Sequence, residues 1–468
     1  MNVLPYLTSD LPGIGGRIKD DVSDFVVEEV PLYDVSGEGT HLYFAVTKRG
    51  VPTQAAVERI AQHMSVPPMA IGVAGLKDAQ GVTRQWMSLE HADPERLKHF
   101  RDGQVSVELV GRHGNKLRTG HLRGNRFRIR VRGVGPGKLE RAAAILDVLR
   151  RRGVPNYFGE QRFGLRGDTA RLGEFLVRND LDAFIRAYLG SPLPNDPRDC
   201  KAAREAFDAG NFHRALERWP RHYANERRAL SAYKKRKHAG PAVGAIDKRI
   251  KRLYVSAFQS EMFNEVLVER LATLDRVYPG DMAMKSNGAV FYVLDAAAEQ
   301  PRADAFEIHP TGPILGFRSH LAGPENMPAS ALRPHEAAES GQGDEVSEPD
   351  QADETNEPLD DGEAGEPFAA VAANAAAGTG ETVSIQSGEV NPGRIEREVL
   401  VRHNVSGDDF RHVGTLKVKG TRRPLRFALS ETDLHAGDDA RGEYIEVAFH
   451  APSGCYATVV LRELMKTE

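Results

Sequence analysis

Asp78 stands at the tip of the stretch GVAGLKDAQGVTRQWMSL (72–89), which reads as an apolar run, a tight polar loop and a second run ending in Trp86, Ser88 and Leu89. Lys77 and Arg84 flank it. Opposite charge within a few ångströms favours an ionised carboxylate, and a loop pinned between two strands fixes its direction, so this residue in this setting suits a nucleophile or a base. The plainer reading is an aspartate that caps a turn beside Gly81, since Asp and Gly favour turns for backbone reasons, and spacing alone does not overturn it. Gly72, Gly75 and Lys77 do not form a phosphate loop, because GxxxxGK[ST] spacing is absent and no Ser or Thr follows the lysine.

A second pattern runs from Gly124 to Arg132, GNRFRIRVR, with period two throughout. On a strand this puts Phe127, Ile129 and Val131 on one face and Arg126, Arg128, Arg130 and Arg132 on the other. Residues 112–132 hold eight Lys or Arg and no acid, so the row of guanidinium forks reads about equally as a face that meets phosphates and as a solvated outer strand face. A third basic region, 221–252, carries eleven Lys or Arg against two acids, with Tyr223, Tyr233 and Tyr254 interleaved as candidate stacking faces or, more plainly, as packed rings. The two cysteines, Cys200 and Cys455, are far apart and belong to no Cys/His cluster. No HExxH or other His/Asp/Glu group has ligand spacing, so no metal site is expected. Ser453 lacks a GxSxG context and reads as a helix N-cap.

Those residues need a scaffold. At 468 residues, the chain is long enough for two or three domains. Its composition is 40% hydrophobic and 27% charged, as in soluble globular proteins, and no run approaches the ~18 apolar residues of a membrane span. The first residues, MNVLPYLTSDLPGIGG, show no basic then apolar leader, so a cytoplasmic location is expected. The net charge is −4, but residues 336–391 hold fifteen acids and no Lys or Arg, which leaves +11 on the other 412 residues. A basic body of that kind suits a polyanion. The acidic stretch, with bounds near 322 and 392, is too poor in apolar groups to offset its ordering entropy and reads as a disordered insertion, the ordered chain resuming near Arg394. Elsewhere 24–30, 41–47 and 444–450 are strand-like. Helices are expected from Thr53, over 138–152, over 255–272 and over 455–464. The fold class is α+β, a central sheet with helices on one side.

Taken together, AGLKDAQGVTRQW, RGNRFRIRV, NYFGEQRFG (156–164), FQSEMFNEVL (258–267) and GCYATVVLREL (454–464) resemble the TruD family of tRNA pseudouridine synthases, in the family's order and at both ends of the chain. The resemblance implies a cofactor-free, metal-free isomerisation of a uridine in tRNA, usually uridine 13, to pseudouridine, with Asp78 as the essential nucleophile. It further implies that Phe25, Asn125, Phe127 and Tyr456 hold the target nucleotide, although many members have Phe where this chain has Tyr456. Phe25 and Phe127 also read plainly as core aromatics. Lys19 and Arg462 are similar to basic residues near the family's active site, and either is a candidate to pair with Asp78. The implied architecture is a pseudouridine-synthase catalytic domain from 1–155 and 426–468, with a central mixed or antiparallel sheet flanked by helices. Residues 156–425 would form an inserted α/β domain that carries the acidic segment 322–392. The implied partner is tRNA, with no membrane, and the chain is expected to be a monomer. The rival expectation is an RNA-binding or RNA-folding protein in which catalysis is lost or secondary, and the intact LKDAQGVTRQ loop favours catalysis over it.

Overall fold

The computed structural model describes residues 4–135, 137–327, 390–414 and 416–467. Eight strands form the main sheet: β1 (Phe25–Pro31), β2 (His41–Arg49), β3 (Gly72–Val73), β4 (Val82–Glu90), β5 (Val105–His113), β6 (Leu122–Arg132), β13 (Ser430–Asp439) and β14 (Gly442–Pro452). Their order is β13-β14-β6-β1-β4-β2-β5, with β3 added on β4. Every neighbouring pair is antiparallel except β1 and β4, so the sheet is mixed.

Register fixes which residues share a face. Val27 pairs with Phe127 and Thr83, Phe44 with Met87, and Phe449 with Phe127, so the apolar residues of β2, β4, β1, β6 and β14 all project to one side. Two separate apolar packs cover that side. Over β2 and β4 lies helix Thr53–Met64, which buries Ala56, Val57, Ile60, Ala61 and Met64 at helical spacing against Leu42, Phe44, Val46 and Met87. Over β6 and β14 lie helices Lys138–Arg152 and Ala457–Met465, which bury Ile145, Leu149, Val460 and Leu464 against Phe127, Ile129, Val447 and Phe449. The expected one-sided arrangement of helices is present, and it leaves a seam between the packs.

Residues 154–427 build the rest. β7 (Val154–Pro155) pairs with β12 (Arg426–Phe427), and β8 (Met282–Lys285), β9 (Val290–Tyr292), β10 (Ile308–Ile314) and β11 (Thr421–Pro424) form a second sheet in the order β11-β10-β8-β9. Helix Lys248–Arg270 starts well before the expected residue 255, because the Asp247 side chain caps it by accepting from Arg249 N, and the charged run KRIKR forms its first turns. Ser453 is not an N-cap. Tyr456 occupies that position before helix Ala457–Met465, without a side-chain cap. Most of the acidic segment 322–392 lies outside the described residues. Its expected bounds are too wide, since Ala322 N donates to Glu396 at 2.8 Å, Pro324–Asn326 forms a short 3-10 helix, and Asn391 caps helix Pro392–Arg402. No helix among the described residues is long and apolar enough to cross a membrane.

The arginine row of β6 also departs from expectation. It faces away from the helices, as the alternation requires, but each guanidinium has a carboxylate brought from elsewhere in the chain. Arg126 pairs with Glu431 at 2.5 Å, Arg128 approaches Glu446 at 4.0 Å, Arg130 meets Glu446 at 2.7 Å, and Arg132 meets Asp24 at 2.6 Å and Asp439 at 2.7 Å. Those acids sit on or beside β13, β14 and β1, so a local stretch without acid is neutralised by tertiary pairing. Arg132 and Asp24 are 2% and 0% exposed, which makes their pair a structural tie between β6 and the residues that lead into β1. Arg132→Leu is expected to destabilise the fold by about 3–5 kcal/mol, because it strands a buried carboxylate, and urea unfolding reads that loss.

Candidate active site

The seam between the two apolar packs is polar. On the same sheet face as the core residues stand Glu29, Lys48, Thr83, Gln85 and Asn125, and the first four are almost fully buried. Over one end of this furrow the segment between β3 and β4 presents Asp78. Gly81 is needed there, because a Cβ at that position would meet the carbonyl oxygen of Phe25 at 2.6 Å. The loop therefore lies directly on β1.

Three cations organise the site. Lys19, in the left-handed region with φ 63°, donates its ammonium to Asp78 Oδ2 and lies 4.6 Å from the centre of the Phe25 ring. Lys48 is fully buried and donates to the carbonyls of Val51, Lys77 and Asp78 at 2.7, 3.1 and 2.8 Å. Lys77 turns its own ammonium away from Asp78, towards Asn125 Oδ1 at 2.8 Å and Glu29 Oε2 at 3.0 Å. Thr53 and Gln85 complete the frame. Lys77 N donates to Thr53 Oγ1 at 2.9 Å, Thr53 Oγ1 donates to Gln85 Oε1 at 2.8 Å, and Gln85 Nε2 donates to Gly75 O at 3.1 Å. The first helix and β4 thereby grip the limb of the loop that leads into its tip.

Burial by itself raises the Asp78 carboxyl. The hydrogen bond from Lys19, the Gln80 amide at 2.9 Å, and the charges of Lys19 and Lys48 outweigh it and hold the group below its ordinary value, so the carboxylate is ionised at neutral pH. Desolvation pushes Glu29 the other way, upward, against the opposing charge of Lys77.

Of the residues singled out in the sequence, Lys19, Phe25, Asp78 and Phe127 form one chain of contacts, with Phe25 and Phe127 edge to face at 6.4 Å, and Asn125 is tied to the loop through Lys77. Both rings lie in the main core, 5% and 9% exposed. Tyr456 is 39% exposed and follows the end of β14, whose Ala451 is the strand partner of Asn125. Arg462 does not join them: its guanidinium binds the carbonyls of Leu4 and Pro5 and lies 4.0 Å from the Tyr6 ring, stapling the N-terminal segment to the last helix. The flanking charges expected to hold Asp78 act elsewhere, since Arg84 points to the opposite sheet face and meets Glu108 at 2.8 Å. Lys48, Thr53, Gln85 and Glu29 are not prominent in the sequence. For Lys48 the signal is the alternation of Leu42, Phe44 and Val46, which continues inward onto it.

Burial lowers Lys48 from 10.5 to about 8, although the charge of Asp78 pulls upward. Between those values the unfolded chain keeps a proton that the folded chain has lost, so this residue makes stability rise with pH across that window. Lys48→Met is expected to remove that rise and to cost about 2–3 kcal/mol at neutral pH by orphaning loop carbonyls. Urea unfolding across the window reads both effects, and an unchanged slope would contradict a buried ammonium.

The sequence matches the family model of tRNA pseudouridine synthase D (TruD) over residues 2–333 and 342–464. A tRNA pseudouridine synthase D of Geotalea daltonii is 37% identical over 465 residues, covering 99% of this chain and all of the relative. One of Geobacter metallireducens is 39% identical over 463 residues, covering 98% and 97%. The fold is similar to the solved tRNA pseudouridine synthase D structure of Methanosarcina mazei, with a TM-score of 0.76 at 24% identity over 99% of this chain and 96% of that one. By a model that spans nearly the whole sequence and relatives aligned from end to end, the chain belongs to the TruD family of tRNA pseudouridine synthases.

Proposed function

We propose that this protein isomerises a uridine of tRNA, at position 13, to pseudouridine without a cofactor, and that Asp78 is the nucleophile. The observation that carries this reading is a carboxylate kept ionised in a half-buried seam, with its loop gripped by Lys48, Thr53 and Gln85. Attack of Asp78 on C1′ of the ribose breaks the bond to N1, and the uracil leaves as an anion. The base turns, C5 bonds to C1′ as the carboxylate departs, C5 loses its proton and N1 gains one. A preorganised carboxylate, fixed in direction by its gripped loop, lowers the barrier to the charged steps.

The target base must leave its stack, at a cost of a few kcal/mol, and needs contacts to hold it. Tyr456 is the accessible ring for stacking, Phe25 and Phe127 form the apolar floor, and Asn125, oriented by Lys77, offers an amide to the base edge. Lys19 serves as the ion-pair partner of Asp78. The catalytic domain in this reading is 1–155 with 426–468, and 156–425 is an inserted domain that binds RNA at a distance. None of the eleven Lys or Arg of 221–252 forms an ion pair among the described residues, which leaves helices Ala224–Arg236 and Lys248–Arg270 with the free positive charge that a phosphate backbone attracts. The paired arginines of β6 do not offer it.

Asp78→Asn is expected to leave tRNA affinity nearly intact and to lower pseudouridine formation by roughly a thousandfold or more in a single-turnover assay. A tRNA with cytidine at position 13 should accept no modification elsewhere. Turnover by the variant at the wild-type rate would remove the nucleophile assignment.

A further inference from the structure

Arg423 of β11 and Arg162, in the short 3-10 helix Glu160–Phe163, lie over the same ring, 4.3 and 5.7 Å from the centre of Phe158. Neither has a carboxylate within ion-pair distance among the described residues. Arg423 Nη2 is held by Asn156 Oδ1 at 2.6 Å and by Gly454 O at 3.1 Å, in the turn that leads to Tyr456. Arg162 is held by the hydroxyls of Ser256 and Ser260 on helix Lys248–Arg270. The Nη1 groups of both arginines donate to nothing among the described residues.

Of the other interior arginines, Arg426 is held by the carbonyls of Arg152 and Ala303, and three meet acids closely. Arg132, Arg270 and Arg422 meet Asp24, Asp281 and Glu396 at 2.6–2.7 Å. Cys455 supplies no negative charge to the Arg423 site, since burial pushes its thiol up to about 12 despite the opposing pull of Arg423. Two like charges on one ring repel, and a planar fork with free N–H groups is the geometry that binds phosphate oxygens in pairs.

Resting on the tRNA reading above, we infer that Arg162 and Arg423 form a subsite for a phosphate of the RNA backbone next to the target nucleotide. The subsite stands where residues 156–425 meet the turn before Tyr456, so a nucleotide extruded onto the Tyr456 ring leaves a flanking phosphate between the two guanidinium groups. Binding that phosphate neutralises the pair and couples the inserted part of the chain to the position of the base.

The test uses the full chain and synthetic tRNA carrying single methylphosphonate linkages around the target uridine. One neutral linkage is expected to weaken binding by the wild-type protein roughly tenfold. Arg162→Gln should give a similar loss, reduce the slope of log affinity against log salt by about 0.7, and show no further loss on the neutral linkage. Arg423→Lys, which keeps the charge but not the fork, should retain the salt slope and lose affinity. Additive losses from variant and linkage, or no sensitive linkage for the wild-type protein, would overturn the inference. Pseudouridine formation by the wild-type protein on unmodified tRNA is scored separately, so failure of the subsite and failure of the reaction assignment are told apart.

Discussion

The contact between the Lys19 ammonium and the Asp78 carboxylate carries the site. A carboxyl in a half-buried seam tends towards its neutral form, and in the proposed reaction a neutral acid at this position would neither attack a sugar carbon nor stabilise positive charge on it. Lys19 reverses that tendency from a residue whose backbone sits in the left-handed region, six residues before the start of the β1 strand that the Asp78 loop rests on. Lys48 works from below by a different route. Its three hydrogen bonds go to main-chain carbonyls, so it fixes where the loop lies, and its charge adds to the field that keeps Asp78 ionised.

The seam exists because the two helical packs stop short of each other on one face of the sheet. β1 and β4 are its only parallel neighbours, and they lie at this junction. Along it the inward positions change from apolar to polar without changing face: Val27 gives way to Glu29, Phe127 to Asn125, Met87 to Gln85, and Val46 to Lys48. A strand alternation that packs a core on either side thus delivers buried polar groups in the middle. β14 then brings the last helix and Tyr456 to the Asn125 side, so both ends of the chain are needed to complete the surroundings of a loop near residue 78.

Much of this was legible in the sequence where the signal is local. Period two placed the β6 faces, helical spacing placed the helices at 53 and 138, and the conjunction of long strings pointed to the family and to Asp78. What could not be read was pairing across distance. The acid-free run around Arg126–Arg132 invited a phosphate-binding reading, but its acids arrive from Asp24, Glu431, Asp439 and Glu446, up to several hundred residues away. Lys77 and Arg84, which flank Asp78 in the sequence, serve Glu29 and Glu108, and the cation that meets Asp78 comes from Lys19. Proximity along the chain fails as a guide here, because successive side chains of the loop point in different directions and Arg84 lies on the opposite face of β4.

The ionisation of Asp78 is the most direct test of this account. A carbon-13 NMR titration of its side-chain carboxyl should show a midpoint below the ordinary aspartate value in the wild-type protein, and the same titration of Lys19→Met should show it moved upward. Identical midpoints in the two proteins would contradict the claim that Lys19 holds the carboxylate in its charged form.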